Sequence, residues 1–384
     1  MEIKTLKQLA SFIRTGKTPS TKQTEYFDGV INWYGPPDLG SQKLLGKSKR
    51  TLSQLAFDDK KAVVFPSGTL LVGCIGDIGK LGVTTNICSS NQQLTGVYPN
   101  KDTDVNYLYY WFRANKKTLE SISNNAVVPI LNNRTLETLE IPLPPLDVQQ
   151  KIASILDAAD TLRQKDKALL AKYDELTQAL FLDMFGDPVS NPKGWEKVEL
   201  RKLCSFKKKN VKPEDILTDT KYVALDSIQK GTGKIVTIYD TEFGGIKSNK
   251  FWFDETYILY GKLRPYLNKV ALPDFQGVCS TDIIPIQPIQ NKSNRNYISS
   301  ILKHQSFVSF ANERCSGANL PRISPSEVEK YLTISAPLEL QTQFAERVAI
   351  IEQQKTQAQA SLEKSEELFN SLLQKAFKGE LVEP

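Results

Sequence analysis

Pro144-Pro145-Leu146-Asp147-Val148-Gln149 marks a change of character in the chain: a proline block gives way to a helical pattern that runs to Phe185-Gly186. The same event recurs at Pro337-Leu338-Glu339-Leu340-Gln341, and that pattern runs to Phe377-Lys378-Gly379. At an offset of 192 residues Pro145 meets Pro337, Gln149 meets Gln341, Leu176 meets Leu368, Leu180 meets Leu372 and Phe185 meets Phe377. An internal repeat outranks any local motif, because each copy must be one structural unit.

The repeat reaches into the segments before the helices. Leu6-Lys7-Gln8-Leu9-Ala10-Ser11-Phe12 matches Leu200-Arg201-Lys202-Leu203-Cys204-Ser205-Phe206 at an offset of 194. Ile87-Cys88-Ser89-Ser90-Asn91 matches Val278-Cys279-Ser280-Thr281-Asp282 at 191, and Asn106-Tyr107 matches Asn296-Tyr297 at 190. The offset drifts by a few residues, as loop insertions cause. The sequence therefore predicts a globular domain over 1–146, a helix over 147–187, a second domain over 188–338 and a second helix over 339–384.

At 384 residues, each half is long enough to bury its own core. Five scattered cysteines with no CxxC argue against a disulfide framework or a zinc site. No apolar run reaches the ~18 residues a membrane span needs, and Met1-Glu2-Ile3-Lys4-Thr5 lacks the apolar core of a signal peptide. A reduced, cytoplasmic protein is expected. The net charge of +6 is informative once divided: +5 and +7 on the two globular segments, −3 on each helix. Basic domains are candidates for a polyanion partner, with affinity that falls as salt rises.

Asp147 with Gln150 three residues on reads as a capped helix start. Apolar residues follow at Ile152, Ile155, Ala159, Leu162, Leu169, Tyr173, Leu176 and Leu180, the 3,4 spacing of a coiled-coil seam broken at Asp166. The second helix carries Phe344, Val348, Ile351, Ala358, Leu362, Phe369, Leu372 and Ala376. About 38 residues at 1.5 Å span ~57 Å, so an antiparallel pair would hold the two domains at its opposite ends. In the domains, Tyr222–Leu225, Lys234–Tyr239, Thr256–Tyr260, Ala62–Phe65 and Thr69–Val72 read as strands, and short helices are expected after Asn106 and Asn296. The fold class is α+β: two globular domains with mixed sheets, two long antiparallel coiled-coil helices and a pseudo-twofold internal repeat.

Catalytic signals are missing. Gly40-Ser41-Gln42-Lys43-Leu44-Leu45-Gly46-Lys47-Ser48 and Gly73 to Gly79-Lys80 both misplace the first glycine of a phosphate loop by one residue. Gly35-Pro36-Pro37-Asp38 lacks both the amide or acid and the aromatic of an amino-methyltransferase motif, and His304 is the single histidine. No catalytic or metal-ligating residue is assigned.

The block Pro144-Pro145-Leu146-Asp147-Val148-Gln149-Gln150-Lys151-Ile152-Ala153, then Ile155-Leu156-Asp157 with Asp160, then Phe185-Gly186-Asp187-Pro188, resembles type I restriction–modification specificity subunits. So do Pro337-Leu338 with Gln341, and Leu372-Leu373-Gln374-Lys375-Ala376-Phe377-Lys378-Gly379-Glu380-Leu381. The resemblance implies that the chain is non-catalytic and that its two domains are target-recognition domains, each reading one half of a bipartite double-stranded DNA site. It implies that the helix pair sets the spacing and docks two methyltransferase subunits carrying S-adenosylmethionine. Restriction or translocase subunits using ATP and magnesium would join them, and no membrane is involved. The alternative is a coiled-coil scaffold with basic domains and no sequence reading.

Base reading needs Arg, Lys, Asn or Gln on loops that reach a groove. Candidates are Lys80 in Gly76–Lys80; Lys262, Arg264, Tyr266 and Lys269 in Gly261–Lys269; and Asn319 and Arg322 in Ser316–Arg322, paired with Asn124–Pro129. Lys47, Lys49, Arg50, Lys207 and Lys209 are candidates for the phosphate backbone. Ile152, Ile155, Leu162, Leu176, Phe344, Ile351, Leu362 and Phe369 are the candidate partner-binding residues of the helices.

Overall fold

The computed structural model describes residues 2–40, 42–123, 128–240 and 245–382. It divides into two compact units: Met1–Asp166 with Ser361–Pro384, and Lys167–Ala360. Both divisions fall inside the long helices, Leu146–Phe185 and Leu338–Lys378, rather than at their starts. No helix among the described residues is long and apolar enough to cross a membrane.

In the first unit, strand Glu2–Thr5 pairs antiparallel with Glu140–Leu143, clasping the start of the domain to its end. A five-stranded mixed sheet runs Ala10–Thr15, Leu94–Pro99, Leu70–Gly73, Leu81–Thr84, Leu44–Leu45. A three-stranded sheet places Phe27–Tyr34 between Arg50–Leu52 and, in parallel, Cys88–Ser90. Strand Leu70–Gly73 is buried along its whole length, as its run of apolar residues requires. Helix Val105–Ala114 is capped by the Asp104 side chain accepting from Tyr107 N, and buries Tyr107, Leu108, Tyr110 and Phe112 against this core.

The second unit repeats the plan. Glu196–Glu199 pairs with Leu332–Ser335. A four-stranded sheet orders Cys204–Ser205, Ile283–Pro288, Ile258–Gly261 and Val270–Ala271, and a five-stranded sheet holds Lys221–Val223 parallel to Gly277–Cys279. Helix Arg295–Lys303 is capped by Asn294, whose side chain accepts from Tyr297 N. The buried tyrosine hydroxyls match: Tyr107 donates to Pro142 O and Tyr297 to Ile334 O, each at 2.6 Å.

The two helix segments run antiparallel within each unit. In the first, Val148, Ile152, Leu156 and Ala159 share a core with Phe369, Leu373 and Ala376. Two guanidinium groups lie over the Phe369 ring, Arg113 at 4.3 Å and Arg163 at 5.1 Å; Asp160 accepts from Arg163 and pairs with Arg113 at 3.3 Å. Asp157 takes a 2.5 Å hydrogen bond from Tyr110 and an ion pair from Lys43. The two acidic residues of the Ile155-Leu156-Asp157…Asp160 block thus fasten the helix to its domain. In the second unit Phe181, Phe185, Phe344 and Tyr297 form one aromatic cluster, and Lys355 pairs with Asp174 at 2.5 Å.

Several local expectations are corrected. The first helix begins at Leu146, Asp147 sits inside its first turn, and Gln150 is exposed. The residue that satisfies the helix entry is Gln149, fully buried, donating to the carbonyls of Asp102 and Pro144 and accepting from Asp104 N. Gln341 does the same with Lys292, Ala336 and Asn294. The apolar stripe predicted on the first helix is only partly inward: Ile152 and Ala159 are buried, whereas Ile155, Leu162, Leu169 and Leu176 are exposed. Val148 and Leu156 complete the inward face. The second helix keeps its predicted stripe, with Phe344, Val348, Ile351, Ala358, Leu362, Phe369 and Ala376 all buried.

Ala62–Phe65 and Lys234–Tyr239 are not strands. Each contributes one isolated bridge, Phe65 to Cys88 and Ile235 to Ile228, and only Tyr239 enters a two-residue strand. The match of Cys88 to Cys279 at 191 slips by two residues. Asn91 N bonds Tyr34 O as Ser280 N bonds Val223 O, an offset of 189. A slip of two keeps every side chain on its face, so the alternating pattern alone could not detect it.

Candidate nucleic-acid interface

In the second unit the candidate loops are built into one platform. Strand Ile258–Gly261 leads into the loop, Gly261 N donates to Lys269 O, and the chain returns as Val270–Ala271. Lys262 N bonds Asp282 O, Ile323 N bonds Lys262 O, and Arg264 N bonds Pro321 O. The segment Ser316–Arg322 is closed by reciprocal backbone bonds of 3.0 and 2.9 Å between its end residues. Gly317 stands at φ +97°, where a Cβ would meet the Leu320 carbonyl at 3.0 Å, so glycine is required there.

On this frame Asp282 accepts from Arg322 Nε at 3.1 Å and faces Lys262 Nζ at 3.8 Å. Burial first, and the Lys262 charge second, hold the Lys208 ammonium below its ordinary pKa, placing a further cation beside the group. Arg264 and Asn319 are exposed, and Tyr266 has a large exposed ring. Arg264 occupies the left-handed region at φ +52°, a costly place for a side chain of its size.

The first unit uses the same frame. Gly73 N bonds Lys80 O, Cys74 N bonds Gln93 O, Leu131 N bonds Cys74 O, and Gly76 N bonds Pro129 O. Residue by residue, Cys74 stands where Lys262 stands, Gln93 where Asp282, Gly76 where Arg264, and Ile130 where Arg322. Both backbones turn left-handed at the third equivalence, glycine in one unit and arginine in the other. Asn124–Val127 of the paired loop lies outside the described residues.

The remaining candidates fall in several places. Lys269 is bonded within the fold: its ammonium donates to Leu225 O at 2.7 Å, and burial lowers its pKa. Lys80 reaches Pro36 O at 3.4 Å and pairs with Asp77 at 2.7 Å. Arg50 lies over the Phe27 and Trp33 rings, Lys209 over Trp252 and Lys208 over Phe251. These are cation–π contacts that fix direction, and they leave Arg50 and Lys209 exposed. Lys47, Lys49 and Lys207 are exposed. On the helices Ile152 and Phe369 lie in the core of the first unit and Phe344 in that of the second, Ile351 and Leu362 are also buried, and Ile155, Leu162 and Leu176 present apolar surface. Asp282 is not singled out by the sequence as a site residue, whereas Lys208 stands in the Lys207-Lys208-Lys209 run that reads as a candidate for the phosphate backbone. A carboxylate among cations carries no periodic signal, and only the backbone frame brings it to Arg322.

Two similar α+β units, each joined to an antiparallel pair of long helix segments and each presenting a loop platform of its own chemistry, define a duplicated α+β scaffold. Residues 1–172 match the family described as the type I restriction modification DNA specificity domain. The chain is 30% identical over 214 residues to the type I restriction enzyme MjaIX specificity subunit of Methanocaldococcus jannaschii, covering 51% of this chain and 49% of that one. It is 24% identical over 313 residues to the EcoDI specificity subunit of Escherichia coli, covering 72% and 70%. The chain thus spans about half the length of the M. jannaschii relative. The fold matches that of a type I restriction–modification S subunit from M. genitalium, with a TM-score of 0.58 at 15% identity over 98% of this chain and 96% of that one. A chain from a structure of type I R-M complex assembly aligns with a TM-score of 0.56 at 14% identity, covering 99% of this chain and 98% of that one. Over residues 1–172 the chain is thus similar to the type I restriction modification DNA specificity domain family, and over nearly its whole length its fold is that of solved S subunits.

Proposed function

We propose that this chain is the sequence-specific DNA-binding subunit of a type I restriction–modification complex, each unit reading one half of a bipartite site. The observation that carries the reading is the pair of equivalent loop platforms, alike in backbone bonding and unlike in side chains: Gln93 and Ile130 against Asp282 and Arg322. A scaffold that served only to hold partners would have no use for two such faces of different chemistry. The long helices set the separation of the half-sites, and Ile155, Leu162 and Leu176 supply apolar surface for the methyltransferase subunits. Modification draws S-adenosylmethionine, and cleavage draws ATP and magnesium, on those partner chains in the cytoplasm.

The test is methylation sequencing of DNA from cells expressing the chain with its methyltransferase subunits. A bipartite motif is expected, and replacing 1–146 by another recognition domain changes one half only. Inserting a few residues into both helices lengthens the unread spacer and leaves the halves unaltered. Methylation without a motif, or an unchanged spacer, defeats the corresponding part of the reading.

A further inference from the structure

We propose that Arg322, gripped by Asp282, reads a guanine in the half-site of the second unit, and that the first unit has no such reader at the equivalent place. The inference rests on the DNA-reading function proposed above and assigns one base contact within it. A guanidinium carries five N–H donors. Asp282 takes the Nε donor at 3.1 Å, and the Leu320 carbonyl takes one from Nη1 at 3.4 Å. The rest of the Nη1/Nη2 end is left for the two acceptors, O6 and N7, that guanine shows in the major groove.

Preorganisation supports the role. Arg322 is anchored through its backbone to Ser316 in both directions, so the loop that carries it is closed. The carboxylate fixes its side chain, and Lys262 beside Asp282 offsets the negative charge that DNA would otherwise repel. A reader held in its binding geometry loses less rotamer freedom on docking than a free arginine. The half-exposed state of the Arg322–Asp282 pair leaves the group reachable. At the same backbone positions the first unit has Ile130 and Gln93, which offer neither the cation nor the carboxylate. Asp282 is therefore a positioning residue, and Arg322 the contact.

The assembled complex with its methyltransferase subunits would be given a randomised DNA library and S-adenosylmethionine, and the methylated products sequenced. The unmodified complex is expected to select guanine at one position of one half-site. Arg322→Lys keeps the charge but not the fork, so it should lower the preference at that position roughly ten- to hundredfold, with every other position intact. Asp282→Asn should relax the same position to a smaller degree. A uniform drop across all sequences, or full guanine selection retained by Arg322→Lys and Arg322→Ala, overturns the assignment and leaves the DNA-reading function standing. A library methylated without any preference by the unmodified complex overturns both.

Discussion

Lys80 and Lys269 hold the same post in the two units: each ends the candidate reading loop and sends its ammonium to a backbone carbonyl just after a parallel strand. Lys80 bonds Pro36 O at 3.4 Å and Lys269 bonds Leu225 O at 2.7 Å. Their own carbonyls accept from Gly73 and Gly261. Two lysines that look like DNA contacts in the sequence therefore tether the loop to the neighbouring sheet.

The tether predicts that Lys269→Met destabilises the protein by about 2 kcal/mol, the range for a lost charge-assisted hydrogen bond. Lys80→Met should cost less, because its bond is longer. Both variants should keep the wild-type base preference. Denaturant midpoints and a methylation motif measure the two effects; a changed motif in Lys269→Met would make it a reader after all.

Gln149 and Gln341 yield a second prediction. Each fully buried amide satisfies one backbone N–H and two carbonyls where its helix begins. Leucine fills the volume and satisfies none of them, so Gln341→Leu should cost roughly 3 kcal/mol, given ~1–3 kcal/mol for each buried group left unpaired. Amide hydrogen exchange at Asn294 should rise together with the loss of stability. Unchanged protection there would show that the clamp is dispensable.

The helix ends were legible in the sequence because proline and 3,4 spacing are local signals. The paired glutamines were visible as matched residues, but their partners at Asp104 and Asn294 lie 45 and 47 residues away, beyond any periodic reading. The sequence reads as one 3,4 seam on the first helix, and its members Ile155, Leu162, Leu169 and Leu176 face outward while Val148 and Leu156 face in. Spacing marks apolar positions and cannot say which of them meets the core. The cysteine match misled for a similar reason: identical letters two residues out of step share a face, and only the backbone pairing fixes the count. The sequence marked the candidate loops, and it did not mark which of their side-chain ends are already bonded within the fold. Lys269 and Arg322 look alike as cations, and they differ in what their ends touch.

His304 supplies a pH prediction. It caps helix Gln305–Glu313, its Nδ1 accepting from Ser306 N, and Asp187 stands 3.6 Å from Nε2. Burial lowers its pKa against the smaller opposing pull of Asp187. The unfolded chain, titrating near 6.5, therefore binds the proton more readily, and stability must fall as pH drops below ~6.5. The loss levels off once the folded-state pKa is passed, and nothing changes above neutrality. Because His304 is the single histidine, unfolding at pH 7.5 and 5.5 should differ in the wild type, and by less in His304→Asn, which retains a capping side chain. Equal slopes in the two proteins would remove His304 as the cause.

Arg264 stands at a backbone cost that its counterpart in the first unit avoids. Its counterpart Gly76 adopts φ +78° without penalty, whereas Arg264 holds φ +52°. A side chain in the left-handed region costs about 1–2 kcal/mol, and glycine returns roughly 0.5–1 kcal/mol of that through the greater freedom of its unfolded chain. Arg264→Gly should therefore leave stability unchanged or raise it by about 0.5 kcal/mol. If the exposed guanidinium meets a phosphate, the same variant should weaken binding to all DNA sequences alike and flatten the slope of log affinity against log salt by about one. The two readouts move in opposite directions, which separates a strained contact residue from a structural one. A variant that unfolds more easily would give Arg264 a structural role, and an unaltered salt slope would remove the phosphate contact.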